Sequence, residues 1–119
     1  MSIIIRQEEE RDYRRVEEIA REAFWNLYFP GTDIPVVVNK LRRSSDFIKE
    51  LTYVIEVNGK VEGAIFYTNS KIIDKKEEEH KVISFGPVFI SPEFHRQGLG
   101  RKLITYTIEK ALYKISYLA

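Results

Sequence analysis

The sequence predicts an α/β (α+β) domain with elements in the order β-α-α-β-β-β-α. Three observations carry this expectation. Apolar residues recur at helical spacing between Tyr13 and Leu27. An alternating stretch, Thr52 to Val57, runs into Asn58-Gly59, the pair a two-residue hairpin prefers. Near the C-terminus an apolar, β-branched run, Val82 to Ile90, is followed by a glycine-containing turn and then by a second helical pattern.

Ile3-Ile4-Ile5 forms a short first strand. Asp12 is a candidate N-cap for a helix with Tyr13, Val16, Ile19, Ala20, Ala23, Phe24 and Leu27 on one face. Phe29-Pro30-Gly31 is a turn that closes the region. Asp33 is placed to cap a second, weaker helix through Val37, Val38 and Leu41, which Ser44-Ser45 breaks. After the hairpin turn, Lys60 to Ile73 continues as the partner strand, Asp74 to His80 is a charged connector, and Lys81 to Ile90 is the next strand. The last helix is expected to turn Ile104, Ile108, Ala111, Leu112 and Ile115 inward. No internal repeat or linker divides the chain, which reads as one domain over residues 1–119.

Composition narrows the function classes. The chain is 44% hydrophobic and 31% charged, a globular balance. A formal net charge of +1 gives no global field toward nucleic acid or a membrane, so neither is an expected partner. The absence of cysteine excludes disulfides, thiolate metal sites and a cysteine nucleophile. The apolar runs are short for a membrane span and no signal peptide opens the chain, so a cytoplasmic location is the default. His80 and His95 are too few for a metal site unless carboxylates stand at ligand spacing, and none is expected.

The segment His95-Arg96-Gln97-Gly98-Leu99-Gly100 carries the chemistry. Backbone N–H groups at a helix start lack internal partners, and the macrodipole adds partial positive charge there. Glycine lets the backbone approach a phosphate closely. Arg96, Arg101 and Lys102 surround the turn and suit the phosphates of a bound cofactor. The Walker A spacing is absent, and Leu103 stands where a Rossmann turn requires its third glycine. The residues alone also allow an ordinary left-handed turn before a surface helix.

With its flanks, this spacing resembles the acetyl-CoA signature of the GNAT superfamily of N-acetyltransferases, Gln/Arg-x-x-Gly-x-Gly/Ala. The likeness extends back through Val88-Phe89-Ile90-Ser91-Pro92-Glu93-Phe94, and Glu22 to Gly31 is similar to a subgroup of small members. His95 stands where the family has Gln or Arg. The resemblance implies a mixed, mainly antiparallel sheet flanked by helices, of which this chain is expected to hold the N-terminal two-thirds, truncated at the C-terminus. Ile115-Ser116-Tyr117-Leu118 is read chiefly as the end of the last helix, and secondarily as a vestige of the next strand.

The resemblance further implies acetyl-CoA as cofactor and transfer of its acetyl group to a primary amine of a small molecule or peptide. The backbone of Val88, Phe89 and Ile90 would meet the pantetheine arm, with Gly86-Pro87 marking a bulge or splay. The residues His95, Arg96, Gln97, Gly98, Leu99 and Gly100, with Arg101 and Lys102, would meet the diphosphate. Val88 N–H is the candidate donor to the reacting carbonyl. Ser84 stands where some members carry a glutamate base and can relay a proton only through water, while Glu56 and Glu22 are candidate carboxylates. Trp25 and Tyr28 are candidates for an acceptor pocket, and the tyrosine acid of many members has no counterpart. An open sheet edge suggests a homodimer that completes the cleft. Two classes of function therefore stand: an N-acetyltransferase, or a CoA-binding module or remnant without catalysis.

Overall fold

In a computed structural model the described residues are 1–24 and 34–118. Four strands, β1 (Ile3–Gln7), β2 (Tyr53–Val57), β3 (Lys60–Ile73) and β4 (Glu79–Ile90), form one sheet in the order β1-β2-β3-β4. Every pairing between them is antiparallel. Helices α1 (Tyr13–Phe24) and α2 (Ile34–Arg43) precede β2, and α3 (Leu99–Leu118) follows β4.

The two sheet faces carry separate cores because side chains alternate along each strand. Val54, Val61, Ala64, Phe66 and Phe89 pack with Val16, Ile19, Ala20 and Ala23 of α1 and Val38 of α2. Tyr53, Ile55, Ile65, Tyr67 and Ile90 pack with Leu99, Leu103 and Ala111 of α3. The Asn58-Gly59 turn joins β2 and β3 with both residues at positive φ (52° and 84°), and Val57 pairs directly with Lys60. Gly63 sits where β4 ends against β3. A Cβ there would collide with Ile90 Cδ1 and lie 2.9 Å from Phe89 O.

Several expectations change at this level. Asp12 does not cap α1. It ends a 3-10 turn, Glu10–Asp12, and its Oδ2 accepts the Glu9 N–H at 2.8 Å while Arg6 binds both carboxylate oxygens. β4 begins at Glu79 rather than Lys81, because Asp74 Oδ1 accepts the N–H groups of Lys76 and Glu78 and tightens the turn. The buried row of α3 is Leu99, Leu103, Thr107 and Ala111, leaving Ile104 partly covered and Ile108 and Leu112 exposed. Thr107 is tolerated inside because its hydroxyl bonds Tyr67 Oη at 2.8 Å and Leu103 O at 2.6 Å. α3 continues to Leu118, so the stretch from Ile115 is helix and not strand. The Asp33 cap, the Phe29-Pro30-Gly31 turn and Leu27 lie outside the described residues.

α2 is fastened by an ion pair out of water. Arg42 Nη2 lies 2.7 Å from Glu8 Oε2, with both side chains less than a tenth exposed. Arg42 Nη1 also reaches Glu17 at 3.1 Å, and the guanidinium lies 4.1 Å above the Tyr13 ring. Burial pushes the Glu8 carboxyl above its ordinary range, against the downward pull of Arg42.

Candidate functional site

β4 ends at Ile90 and hands the chain to a short 3-10 turn, Pro92–Phe94, before α3 starts at Leu99. Arg96 and Gly98 between them adopt positive φ, 66° and 78°. Lys102 N–H donates to Gly98 O at 3.1 Å, so Gly98 is the residue that caps α3. Among the described residues no acceptor is found for the backbone N–H of Arg96, Gln97, Gly98, Leu99, Gly100 or Arg101. Such a run at a helix start is an anion cradle. A Cβ built on Gly98 would meet nothing within 4 Å, so the space over the turn is open.

The side chains of this segment divide by role. Leu99 is buried and pins the start of α3 to the sheet, and Gly100 lies against Ile90. Arg96, Gln97, Arg101 and Lys102 are exposed. Arg101 and Lys102 also border a shallow hollow with Ile5, Thr105 and Tyr106. His95 Nε2 lies 2.7 Å from Ile90 O, so that carbonyl already accepts a bond from the chain itself.

Along β4, Ile65 pairs with Val88 and Tyr67 with Phe85, so Phe66 alone faces Gly86 and Pro87. That is a bulge on β4, at the dipeptide where the sequence marks one. β4 has no strand on its far side among the described residues. Val88 is half-buried toward α3, Phe89 is buried on the α1 side, and Ile90 is buried toward α3.

The candidate acid–base residues do not converge on Val88. Ser84 is exposed on β4 opposite Thr68. Glu56 lies on β2, two strands or roughly 10 Å from β4 across the sheet. Its carboxylate is paired with Arg6, which also binds Asp12. Trp25 and Tyr28 lie outside the described residues.

Sequence reading does not anticipate a cleft of about 620 Å³ between α1 and the end of β4, lined by Arg21, Glu22, Ser91, Pro92 and Glu93. Glu22, a candidate carboxylate in the sequence, thus stands on a concave surface. Among the described residues, Ser91 Oγ and Glu62 Oε2 are buried without a hydrogen-bond partner. Glu62 is covered because Arg15 binds its other oxygen at 3.1 Å and Val61 O at 2.9 Å. No local pattern signals this, because Arg15 and Glu62 meet only through the packing of α1 on β3. The β3–β4 turn likewise brings Asp74 and Glu78 within 4.8 Å of His80, a juxtaposition unseen in the sequence. His80 Nε2 lies 2.8 Å from Asp74 Oδ2, and this bond holds the Asp74 carboxyl below its ordinary range.

The chain is similar to a GNAT family acetyltransferase from Brucella melitensis solved in complex with acetyl-CoA, with a TM-score of 0.80 and 23% identity over 95% of this chain and 70% of that one. An acetyltransferase from Vibrio fischeri gives a TM-score of 0.65 and 16% identity over 94% and 88% of the two chains. AAC(6')-Iy, solved with the bisubstrate analogue CoA-S-monomethyl-acetylneamine, gives 0.66 and 13% over 96% and 74%. At these identities the likeness is one of fold. No curated protein sequence matches the chain. The model of the acetyltransferase (GNAT) family matches residues 8–118, nearly the whole chain, with the open N–H run of 96–101 inside the match. The chain belongs to the GNAT acetyltransferase family, whose acyl donor is acetyl-CoA.

Proposed function

We propose that this protein binds acetyl-CoA and transfers its acetyl group to a primary amine of a small molecule or peptide, as a single domain over residues 1–119. The observation that carries the reading is the run of unpartnered backbone N–H groups from Arg96 to Arg101, open above Gly98 and flanked by Arg96, Arg101 and Lys102. Those donors fit a diphosphate: they need an acceptor, and a Cβ-free position leaves room for one. Val88, Phe89 and Ile90 lie on β4, the edge strand among the described residues, and this stretch is proposed to meet the amides of a pantetheine arm, through Val88 in particular because His95 already holds the Ile90 carbonyl. When bound, acetyl-CoA supplies an activated thioester acyl group. The chain orients it, with the Val88 N–H as donor to the reacting carbonyl and Ser84 as a relay through water. Trp25 and Tyr28 are proposed as acceptor-binding residues. Acetyl-CoA should raise the melting temperature of the folded chain. No shift at millimolar acetyl-CoA overturns the reading.

A second reading, CoA binding without efficient catalysis, is supported by the engagement of Glu56 with Arg6 and by the exposure of Ser84. Acetyl transfer to a panel of amines at ordinary enzyme rates decides against it. We further propose that two copies associate along β4, because its far edge has no strand among the described residues and Phe85 beside it is 50% exposed.

A further inference from the structure

The diphosphate-binding reading above supplies the frame for an inference about His95. Ser91, Pro92, Glu93 and Phe94 alone separate the last residue of β4 from His95, where the anion loop begins. His95 is tied down twice. Its backbone N–H donates to Pro92 O at 3.1 Å, and its ring Nε2 lies 2.7 Å from Ile90 O. A carbonyl oxygen only accepts, so the proton of the neutral ring sits on Nε2. The next residue, Arg96, takes a positive φ of 66°, which costs a residue with a Cβ and persists only where its neighbours hold it. The unpartnered N–H groups start there.

The geometry points to His95 as the positioning residue of this loop. Its Nε2–H, donated to Ile90 O, fastens the loop to the strand end and holds the N–H groups of residues 96–101 in the arrangement that takes a diphosphate. The imidazole acts through the loop and does not itself touch the ligand. The bond also accounts for the residue type. His Nε2, Gln Nε2 and Arg Nε each place an N–H donor three bonds beyond Cβ, so all three can reach the same carbonyl. The departure from the Gln/Arg of the resembling signature then keeps the donor while changing the side chain. Asn, with its donor two bonds beyond Cβ, falls short.

The experiment uses the whole chain. Long-range proton–nitrogen NMR of the neutral His95 ring should show the Nε2–H tautomer in the free protein, and the Nδ1–H tautomer overturns the proposal. Calorimetric titration with acetyl-CoA should find His95→Asn weaker by about tenfold, the size of one hydrogen bond. His95→Gln should stay within about threefold of the wild type, with a melting temperature close to it. An Asn variant that binds as tightly as the wild type overturns the proposal. So does a Gln variant as weak as Asn, because the ring itself would then be the contact. The tautomer and the Gln comparison stand even where the Asn variant fails to fold. If the wild type binds no acetyl-CoA, the functional reading fails, while the tautomer still reports whether His95 is fastened as described.

Discussion

Two glycines answer to different constraints. At Gly98 the backbone holds φ at 78° and a Cβ would meet nothing within 4 Å among the described residues, so packing does not dictate the residue. On the proposed reading, Gly98→Asp would place a carboxylate where the diphosphate binds, opposing it by charge and by bulk. The acetyl-CoA-induced rise in melting temperature should vanish while the free protein stays folded, and a retained rise would remove the diphosphate from this turn. Gly63 is constrained by the fold alone. A Cβ there meets Ile90 Cδ1, Phe89 O at 2.9 Å and Ile55 Cγ2 at 3.0 Å. Ile90 can yield, but the carbonyl belongs to the paired strand. Gly63→Ala should cost about 1–3 kcal/mol in urea denaturation, the range for overpacking a filled site. A neutral effect would mean that the end of β4 packs loosely against Gly63.

At the scale of elements, guanidinium–carboxylate groups built on Arg6, Arg15 and Arg42 hold the helices in place around the sheet. Arg42 of α2 faces buried Glu8, and truncating either partner strands a charge. Arg42→Ala should destabilise the fold by about 3–5 kcal/mol, and Arg42→Met combined with Glu8→Leu should recover much of that loss. The check is a double-mutant cycle by chemical denaturation, in which additive losses would deny the pair. Arg6 grips Asp12 at the entry to α1, and its hydrogen bonds hold the Asp12 carboxyl below its ordinary range, with burial opposing. A depressed folded-state value means the unfolded chain takes up the proton first as pH falls. The stabilisation is therefore full at neutral pH and fades below about pH 4 as the folded carboxyl titrates. Asp12→Asn should be weaker by about 1–3 kcal/mol near neutral pH and approach the wild type in acid. A pH-independent gap would show that the Arg6 contact is not what matters.

At the scale of the molecule, β4 is the edge of the sheet among the described residues, and apolar side chains stand near it. The Phe85 ring lies tilted against Tyr67 at 6.1 Å and remains 50% exposed, and Ile108 and Leu112 of α3 are 37% and 58% exposed. Ile108 and Leu112 follow the buried row of α3 by one residue, on the flank opposite Tyr106, which packs on Tyr53 of β2. That flank is turned toward the β4 edge. The chain should therefore self-associate in light scattering, and Phe85→Lys should shift it toward monomer. A wild-type chain that stays monomeric at high concentration would contradict the association.

What the sequence determined by itself is local. The Asn58-Gly59 hairpin, the limits of β3, the bulge at Gly86-Pro87 and the glycine turn ahead of α3 each depend on a few adjacent residues and their dihedral preferences. Tertiary packing decided the rest. The buried face of α3 is set by Leu99 docking on the sheet, which brings Thr107 to Tyr67 and turns Leu112 outward; hydropathy alone favours the reverse. Asp12 reads as a helix cap until Arg6, on a strand, claims it. Glu56 reads as a free strand carboxylate until the same arginine pairs with it. The His95–Ile90 bond and the cleft beside Ser91 likewise need a folded chain, because long charged side chains choose partners by distance in space, which no spacing along the sequence encodes.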